Sequence, residues 1–84
     1  MKHATPIALD ALEPLLDQLR ALDGVTERKR GVFYRKSQAM LHFHEDPAGF
    51  FADLRLPPGW VRLPVNTAAE RKRLVAQLRT ALKA

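Results

Sequence analysis

The chain contains no cysteine, and this absence excludes two kinds of stabilising element. A disulfide framework and a metal site built on thiolates both need cysteine side chains. A chain without cysteine also suits the reducing cytosol, so we expect a cytoplasmic location. No apolar run approaches the roughly 18 residues of a membrane span, and we expect no membrane partner. The N-terminal stretch carries little basic charge and contains Asp10, so no signal peptide is expected.

The motifs of the common enzyme classes are absent as well. The chain has no P-loop, no dinucleotide-binding fingerprint and no HExxH pair. Its single serine, Ser37, does not belong to a recognisable nucleophile motif, and its four glycines form no phosphate-binding loop. These absences favour a non-enzymatic binding or interaction module that needs no cofactor. Its partner would be a protein or a small ligand that the sequence does not identify.

Positive charge is in excess and is unevenly distributed. The 84 residues carry a formal net charge of +5, and we expect one domain spanning 1–84. Clustered basic side chains can bind the phosphates of a nucleic acid, which is our second functional hypothesis. A basic helix face in contact with solvent explains the same pattern. The residues concerned are Arg28, Lys29, Arg30, Arg35, Lys36, Lys72, Arg79 and Lys83.

Alternating apolar and polar residues predict a sheet, and apolar residues at helical spacing predict two helices. We expect an α+β fold, with a four-stranded antiparallel sheet and two helices on one face, in the order α-β-β-β-β-α. The helices should span about 8–22 and 68–83, and the strands should lie near 30–36, 38–45, 50–56 and 60–65. Residues 1–4 are expected to be frayed. The expected core is Leu15, Leu19, Leu41, Phe43, Leu54, Leu74 and Leu78.

The helix starts differ in how clearly the sequence marks them. Thr67 and Glu70 have the spacing of a capping box, which predicts the start of the second helix. Asp10 and Glu13 have the same spacing in the first helix, but the nearby Pro14 fits poorly there. Thr5-Pro6 offers an earlier start, with proline at the first helical position. The start of the first helix therefore stays open at this point.

A hairpin of the second and third strands is the central feature of the predicted sheet. If Asp-Pro-Ala-Gly at 46–49 forms its loop, the register places His42 opposite Asp53 and Leu41 opposite Leu54. One face is then apolar, and the other carries both histidines of the strand. A slip by one residue would put Asp53 among the leucines, so the pattern itself favours this register.

The first strand leaves the orientation of two rings open. Gly31 indicates a bulge or a close approach of backbone there. The residues that follow, Phe33 and Tyr34, do not alternate cleanly with their neighbours. A tight turn at Lys36-Ser37 would pair Tyr34 with Ala39, which would put Tyr34 on the apolar face and Phe33 beside the histidines.

His42, His44 and Asp53 are the best candidates for a site. Two imidazoles and a carboxylate are suitable ligands for Zn²⁺ or another divalent ion. With an open position on that ion, the same residues would support a metal-dependent hydrolase, our third hypothesis. A hydrogen bond between Asp53 and His42 across the strands accounts for the residues without a metal. We favour the metal-free interpretation, because the sequence offers no converging further ligand.

Aromatic side chains and an arginine extend this face of the predicted sheet. Such a surface could stack bases or another ligand, or a second copy of the chain could cover it in a homodimer. Our leading hypothesis is a binding module whose site is this face. The predicted binding residues are His42, His44, Asp53, Phe33, Phe51, Trp60 and Arg55.

Between His42 and Arg79 the chain resembles the luciferase-domain family, small proteins of mostly unknown function. The resemblance lies in His42-x-His44, Asp53 after a short loop, a proline-rich step, Gly59-Trp60-Val61 and a helix with an acidic start. That family usually has a longer insertion before the tryptophan. The strand order is also similar to the YjbR-like fold, whose members have been suggested to bind DNA. Both resemblances imply an α+β domain, and neither implies an established reaction.

Overall fold

Three helices and one antiparallel sheet form the fold in the computed structural model, which describes residues 1–83. The sheet order is β2-β3-β4-β5-β6, with β1 paired to β4. None of the helices in this part of the chain is long and apolar enough to cross a bilayer. In chain order the elements are β1 (Lys2–His3), α1 (Pro6–Ala11), α2 (Glu13–Arg20), β2 (Thr26–Lys29), β3 (Val32–Arg35), β4 (Gln38–Asp46), β5 (Gly49–Leu56), β6 (Gly59–Pro64) and α3 (Ala68–Lys83).

The α+β class and the antiparallel sheet are confirmed, but the element count is corrected. We expected four strands and two helices, whereas residues 1–83 contain six strands and three helices. The additional strands, β1 and β2, are short and polar, so they carry no apolar alternation that would reveal them. Both are recognised only by the strands they pair with, β4 and β3 respectively.

The first predicted helix is divided into α1 and α2 at Leu12. Leu12 has φ −94° and ψ 0°, and Pro14 lies in the first turn of α2. A proline inside a helix supplies no N–H donor and its ring clashes with the carbonyl four residues earlier, so one continuous helix through Pro14 is disfavoured and the chain breaks here. Both halves keep their leucines buried, because Leu12, Leu15, Leu16 and Leu19 still face the core.

Side-chain caps mark where α1 and α3 begin, whereas α2 has no side-chain cap. Of the two starts considered for the first helix, the structure has Thr5, whose Oγ1 accepts a hydrogen bond from the backbone N of Ala8 at 3.4 Å. Asp10 therefore lies inside α1 and is not a cap. The capping box before α3 is confirmed: Thr67 Oγ1 accepts from Glu70 N at 3.1 Å, and Glu70 Oε1 accepts from Thr67 N at 3.0 Å.

Gly31 shortens the strand that we predicted near 30–36. It lies in the turn between β2 and β3, with φ at +79°. A Cβ added here would lie 2.7 Å from Leu9 Cδ2, so a larger residue would be strained and would also collide with α1. Of the two interpretations offered for this glycine, the close approach of backbone is the correct one.

The predicted register of the central hairpin is confirmed. Leu41 pairs with Leu54, and His42 pairs with Asp53. The loop is tighter than expected, because Asp46 and Gly49 form the last pair of the ladder and only residues 47 and 48 lie in the turn.

A register shift between β3 and β4 decides the orientation that the sequence left open. Tyr34 pairs with Ala39, as the tight turn predicted, but Phe33 pairs with Leu41 and leaves Met40 as an extra residue in β4. A bulge of this kind resets the alternation of side chains. Phe33 and Met40 are therefore buried in the core and do not lie beside the histidines. This corrects our inclusion of Phe33 among the binding residues.

The core lies between the helices and the apolar side of β4 and β5. All seven predicted core residues are buried, and they belong to one contiguous cluster. Four further large side chains are fully buried; they are Leu12, Leu16, Phe33 and Val65.

Truncation of Leu41 tests this packing. Leu41 is fully buried, so Leu41→Ala should lower the free energy of unfolding by about 2–5 kcal/mol through lost burial and a residual cavity. Urea denaturation followed by circular dichroism measures the change. Val61 is exposed on β6, and Val61→Ala is the control, with an expected effect of about 0.5 kcal/mol or less. A loss below about 1 kcal/mol for Leu41→Ala would contradict the proposed packing.

Candidate functional site

The side of the sheet opposite the helices carries most of the predicted site residues, and we call it the outer face. Strand pairing arranges them in rows: His44 pairs with Phe51, and His42 pairs with Asp53. Arg62 and Trp60 continue this surface on β6, where Arg62 pairs with Asp53 and Trp60 pairs with Arg55. The outer face is thus defined by His42, His44, Phe51, Asp53, Arg55, Trp60 and Arg62.

His3, which lies in the stretch predicted to be frayed, joins this face. β1 pairs with β4 so that Lys2 lies opposite Glu45 and His3 opposite His44. Lys2 Nζ is 3.4 Å from Glu45 Oε1, and Thr5 Oγ1 donates to the same carboxylate at 3.2 Å. The expectation that residues 1–4 are frayed is therefore wrong, because Glu45 holds the chain on both sides of His3.

Three imidazole rings meet at the end of β4, and we call His3, His42 and His44 the histidine cluster. The ring centroids of His3 and His44 are 4.7 Å apart, those of His42 and His44 are 4.8 Å apart, and those of His3 and His42 are 5.7 Å apart. One nitrogen from each ring lies within 4.8 Å of the other two. The cluster therefore presents three potential metal ligands from two adjacent strands.

Several nitrogens of the histidine cluster are buried and unsatisfied. Among the described residues, no hydrogen-bond partner is found for Nδ1 of His42 or for Nδ1 and Nε2 of His44. A buried polar atom without a partner costs roughly 1–3 kcal/mol, and native proteins usually pair such atoms with protein, water or an ion. These nitrogens are accordingly the best candidates for binding atoms on the outer face.

Asp53 contacts a different histidine from the one we predicted. Its backbone is paired with that of His42, but its Oδ2 lies 3.1 Å from Nε2 of His44. This distance suits a hydrogen bond, but the Nε2–H bond of His44 does not point at the Asp53 oxygen, so no hydrogen bond is formed in this geometry. Arg62 donates two hydrogen bonds to the Asp53 carboxylate, from Nε to Oδ1 at 2.7 Å and from Nη2 to Oδ2 at 2.9 Å. These hydrogen bonds from Arg62 hold the pKa of Asp53 below its usual range.

The surroundings of His42 favour its neutral form. Burial lowers the pKa of His42 below its ordinary value of 6.5, and the adjacent His44 and His3 lower it further, against the opposing effect of Asp53. A neutral imidazole is the form that binds a metal ion, because protonation removes the lone pair. His42 is therefore in a ligand-competent state at neutral pH.

Trp60 and Arg55 flank the histidine cluster on the outer face. The ring centroids of Trp60 and His42 are 5.0 Å apart, and the guanidinium carbon of Arg55 lies 4.5 Å from the centroid of Trp60. Arg55 also donates from Nε to the carbonyl oxygen of Ala39 at 2.9 Å. Trp60 keeps 41% of its surface exposed. It is the only tryptophan of the chain, which makes it a natural fluorescent reporter of this face.

Three of the basic residues in the nucleic-acid hypothesis already contact other groups of the protein. Arg28 stacks on Tyr34 and donates to the carbonyl oxygen of Lys36. Arg30 pairs with two carboxylates of the helices, and Arg35 donates to carbonyl oxygens at the end of α3.

The other basic residues are separated in space. Lys29 and Arg30 line a groove beside the histidine cluster, whereas Lys72 and Arg79 line a groove between α2 and α3. The two remaining members are exposed: Lys36 in the turn between β3 and β4, and Lys83 at the end of α3. Nucleic-acid binding by these residues stays a prediction.

Comparison with known proteins gives no relative. No protein-family model, no curated protein and no solved structure matches the chain. These results do not bear on the resemblance to the luciferase-domain family or to the YjbR-like fold, and both stay predictions.

Two residues of the candidate site were not predicted from the sequence, His3 in the histidine cluster and Arg62 on the outer face. Lys2–His3 is too short for alternation to reveal a strand, and its pairing with β4 is a contact across more than 40 positions. The sequence does show that His3 is the one histidine outside the predicted hairpin and that it precedes the Thr5-Pro6 helix start. Of the other predicted binding residues, all except Phe33 lie on the outer face.

The lowered pKa of His42 predicts a titration in the metal-free protein. NMR of the imidazole protons should give His42 a pKa below 6.5 in the folded state and near 6.5 in urea. Because the unfolded chain then binds the proton more readily, this group's contribution to stability is complete above about pH 6.5 and is lost as the pH falls through the folded pKa. A folded pKa above 6.5 would show that His42 is not desolvated as described.

Proposed function

We propose that the protein is a small metal-ion-binding module and that its site is the histidine cluster on the outer face. The observation that carries the proposal is the meeting of three imidazole nitrogens within 4.8 Å of one another. Imidazole nitrogen suits transition-metal ions such as Zn²⁺ and Co²⁺, whereas Ca²⁺ and Mg²⁺ prefer oxygen ligands. The donor set therefore favours a divalent transition-metal ion, with Zn²⁺ as the first candidate.

The spacing of the rings supports this assignment. Two nitrogens on one tetrahedral zinc ion lie about 3.3 Å apart, because each Zn–N bond is about 2.0–2.1 Å long. The nitrogens of the cluster need to approach from at most 4.8 Å to that separation. His3 is exposed, so its side chain can rotate toward the others without disturbing the core. The buried nitrogens of His42 and His44 would gain the partner that they lack.

The proposal agrees with our leading hypothesis of a binding module on this face. It also adopts the metal-binding alternative, but with a different set of ligands. That alternative named His42, His44 and Asp53, and the sequence argued against a metal because no converging further ligand was apparent. His3 supplies such a ligand from β1. The hydrolase hypothesis would need a metal here as well, so binding is the step to test first.

Zinc titration of each histidine variant tests the proposal. We expect tag-free protein to bind one Zn²⁺ in isothermal titration calorimetry and to shift the imidazole NMR signals of all three histidines together. His3→Ala, His42→Ala and His44→Ala should each weaken binding by more than about tenfold, or about 1.4 kcal/mol. The loss in His3→Ala is the most informative, because His3 lies in an exposed terminal strand and its removal leaves the core intact.

Two controls separate a built site from non-specific association. Lys2→Ala changes the neighbouring exposed residue of β1 and should leave zinc affinity within about twofold, since ordinary surface substitutions change free energies by about 0.5 kcal/mol or less. Mg²⁺ should not compete, because the cluster offers no oxygen ligand. Unshifted histidine signals at stoichiometric Zn²⁺, or equal affinity of wild type and His3→Ala, would refute the proposal.

A further inference from the structure

Asp53 lies beside the histidine cluster but is not one of the three proposed metal ligands. Arg62 occupies both of its oxygens, Oδ1 at 2.7 Å and Oδ2 at 2.9 Å. Paired hydrogen bonds from arginine to carboxylate fix the orientation of the carboxylate and are roughly twice as strong as neutral ones. The Asp53 side chain is only 13% exposed, so it is held in place against the sheet.

The second contact of Asp53 is with His44, and it distinguishes the two nitrogens of that ring. Asp53 Oδ2 lies 3.1 Å from His44 Nε2. The other nitrogen, Nδ1, is buried and has no hydrogen-bond partner among residues 1–83. Histidines that bind metals commonly donate their second N–H to a carboxylate, which fixes the tautomer and orients the ring. A small rotation of the ring would align Nε2–H with Oδ2 and leave Nδ1 as the ligand atom.

We infer that Asp53 is an outer-sphere positioning residue and not a ligand, and that the metal consequently keeps an open coordination position for a small anionic ligand. The inference rests on the proposed function and deepens it, since it concerns the same site. His44 would bind the metal through Nδ1, while its Nε2–H donates a hydrogen bond to Asp53, which Arg62 holds in place. The three imidazoles then form the complete protein ligand set found among the described residues.

Positive charge around the open position selects an anion. Arg62 and Arg55 both lie on the outer face, and Asp53 offsets only one of them. Apart from its Nε bond to Ala39 and its contact with Trp60, Arg55 has no partner among residues 1–83, so its terminal nitrogens are available. A divalent ion adds two further positive charges at this point. A carboxylate or another small monoanion beside Trp60 would meet both the metal and a guanidinium.

The tautomer of His44 decides the first half of the inference without any substitution. Long-range ¹H–¹⁵N spectra of the zinc-loaded wild type should identify His44 Nδ1 as metal-bound and Nε2 as protonated. A metal-bound Nε2 would overturn the inference, because Asp53 would then lie where a fourth ligand belongs. If none of the three histidine signals responds to zinc, the proposed function itself fails, and this inference fails with it.

Substitution of Asp53 measures its influence on the metal. Asp53→Asn should weaken zinc binding by about 10–100-fold, as is usual when the outer partner of a metal-binding histidine is lost. It should also leave the His44 ring with a mixture of tautomers, which simple loss of stability would not produce. Asp23→Asn, in the loop after α2, is the matched control and should bind as wild type does. Unchanged affinity and a single tautomer in Asp53→Asn would overturn the inference.

Cobalt substitution tests the open position. The visible absorption of the Co²⁺-loaded protein should change on addition of azide or acetate, since entry of an anion alters the coordination of the ion. Arg55→Gln should weaken this anion binding severalfold, and Arg55→Lys should restore part of it through its retained charge. A Co²⁺ spectrum that no anion perturbs would overturn the open position while leaving metal binding by the histidine cluster in force.

Discussion

The pairing of β4 with β5 is the constraint on which both the core and the outer face depend. Side chains of a strand alternate between faces, so the register that buries Leu41 and Leu54 necessarily turns His42 and Asp53 away from the helices. A slip by one residue would bury Asp53 and expose two leucines, and each change costs a large fraction of the stability of a small domain. The histidine cluster is therefore positioned by the same energetics that hold the core together.

Completion of the cluster depends on a second constraint, which is the attachment of β1 to β4. The Glu45 carboxylate forms an ion pair with Lys2 on one side of His3 and accepts a hydrogen bond from Thr5 on the other. Thr5 also caps α1. The start of the first helix and the position of the third imidazole are thus set by one carboxylate. A metal ion that binds His3 together with His42 and His44 would stabilise this short strand, because a ligand specific for the folded state lowers its free energy.

The sequence predicted the features that local patterns encode and missed those that arise from distant contacts. The register of the hairpin follows from alternation, and the start of α3 follows from a capping box, so both were predictable. The bulge at Met40, which turns Phe33 into the core, depends on how two strands meet and has no signature in either strand alone. The same holds for β1, so His3 could not be assigned to the site from spacing. Pro14 is a local signal for the break between α1 and α2, because a proline supplies no N–H donor for a continuous helix.

The histidine cluster is expensive for a domain of this size, and that cost favours a functional explanation. The Nδ1 nitrogens of His42 and His44 are buried without partners among the described residues, at roughly 1–3 kcal/mol each against a total stability of about 5–15 kcal/mol. An apolar side chain of similar volume at His44 would remove the share of this cost that belongs to His44 without disturbing the apolar face, as replacements of buried polar groups often do. Sites that are poorly satisfied in isolation are commonly those that bind a ligand, because the ligand supplies the missing interactions. A metal ion held by the three imidazoles would do this directly, and the pair formed by Asp53 and Arg62 would keep His44 oriented for it.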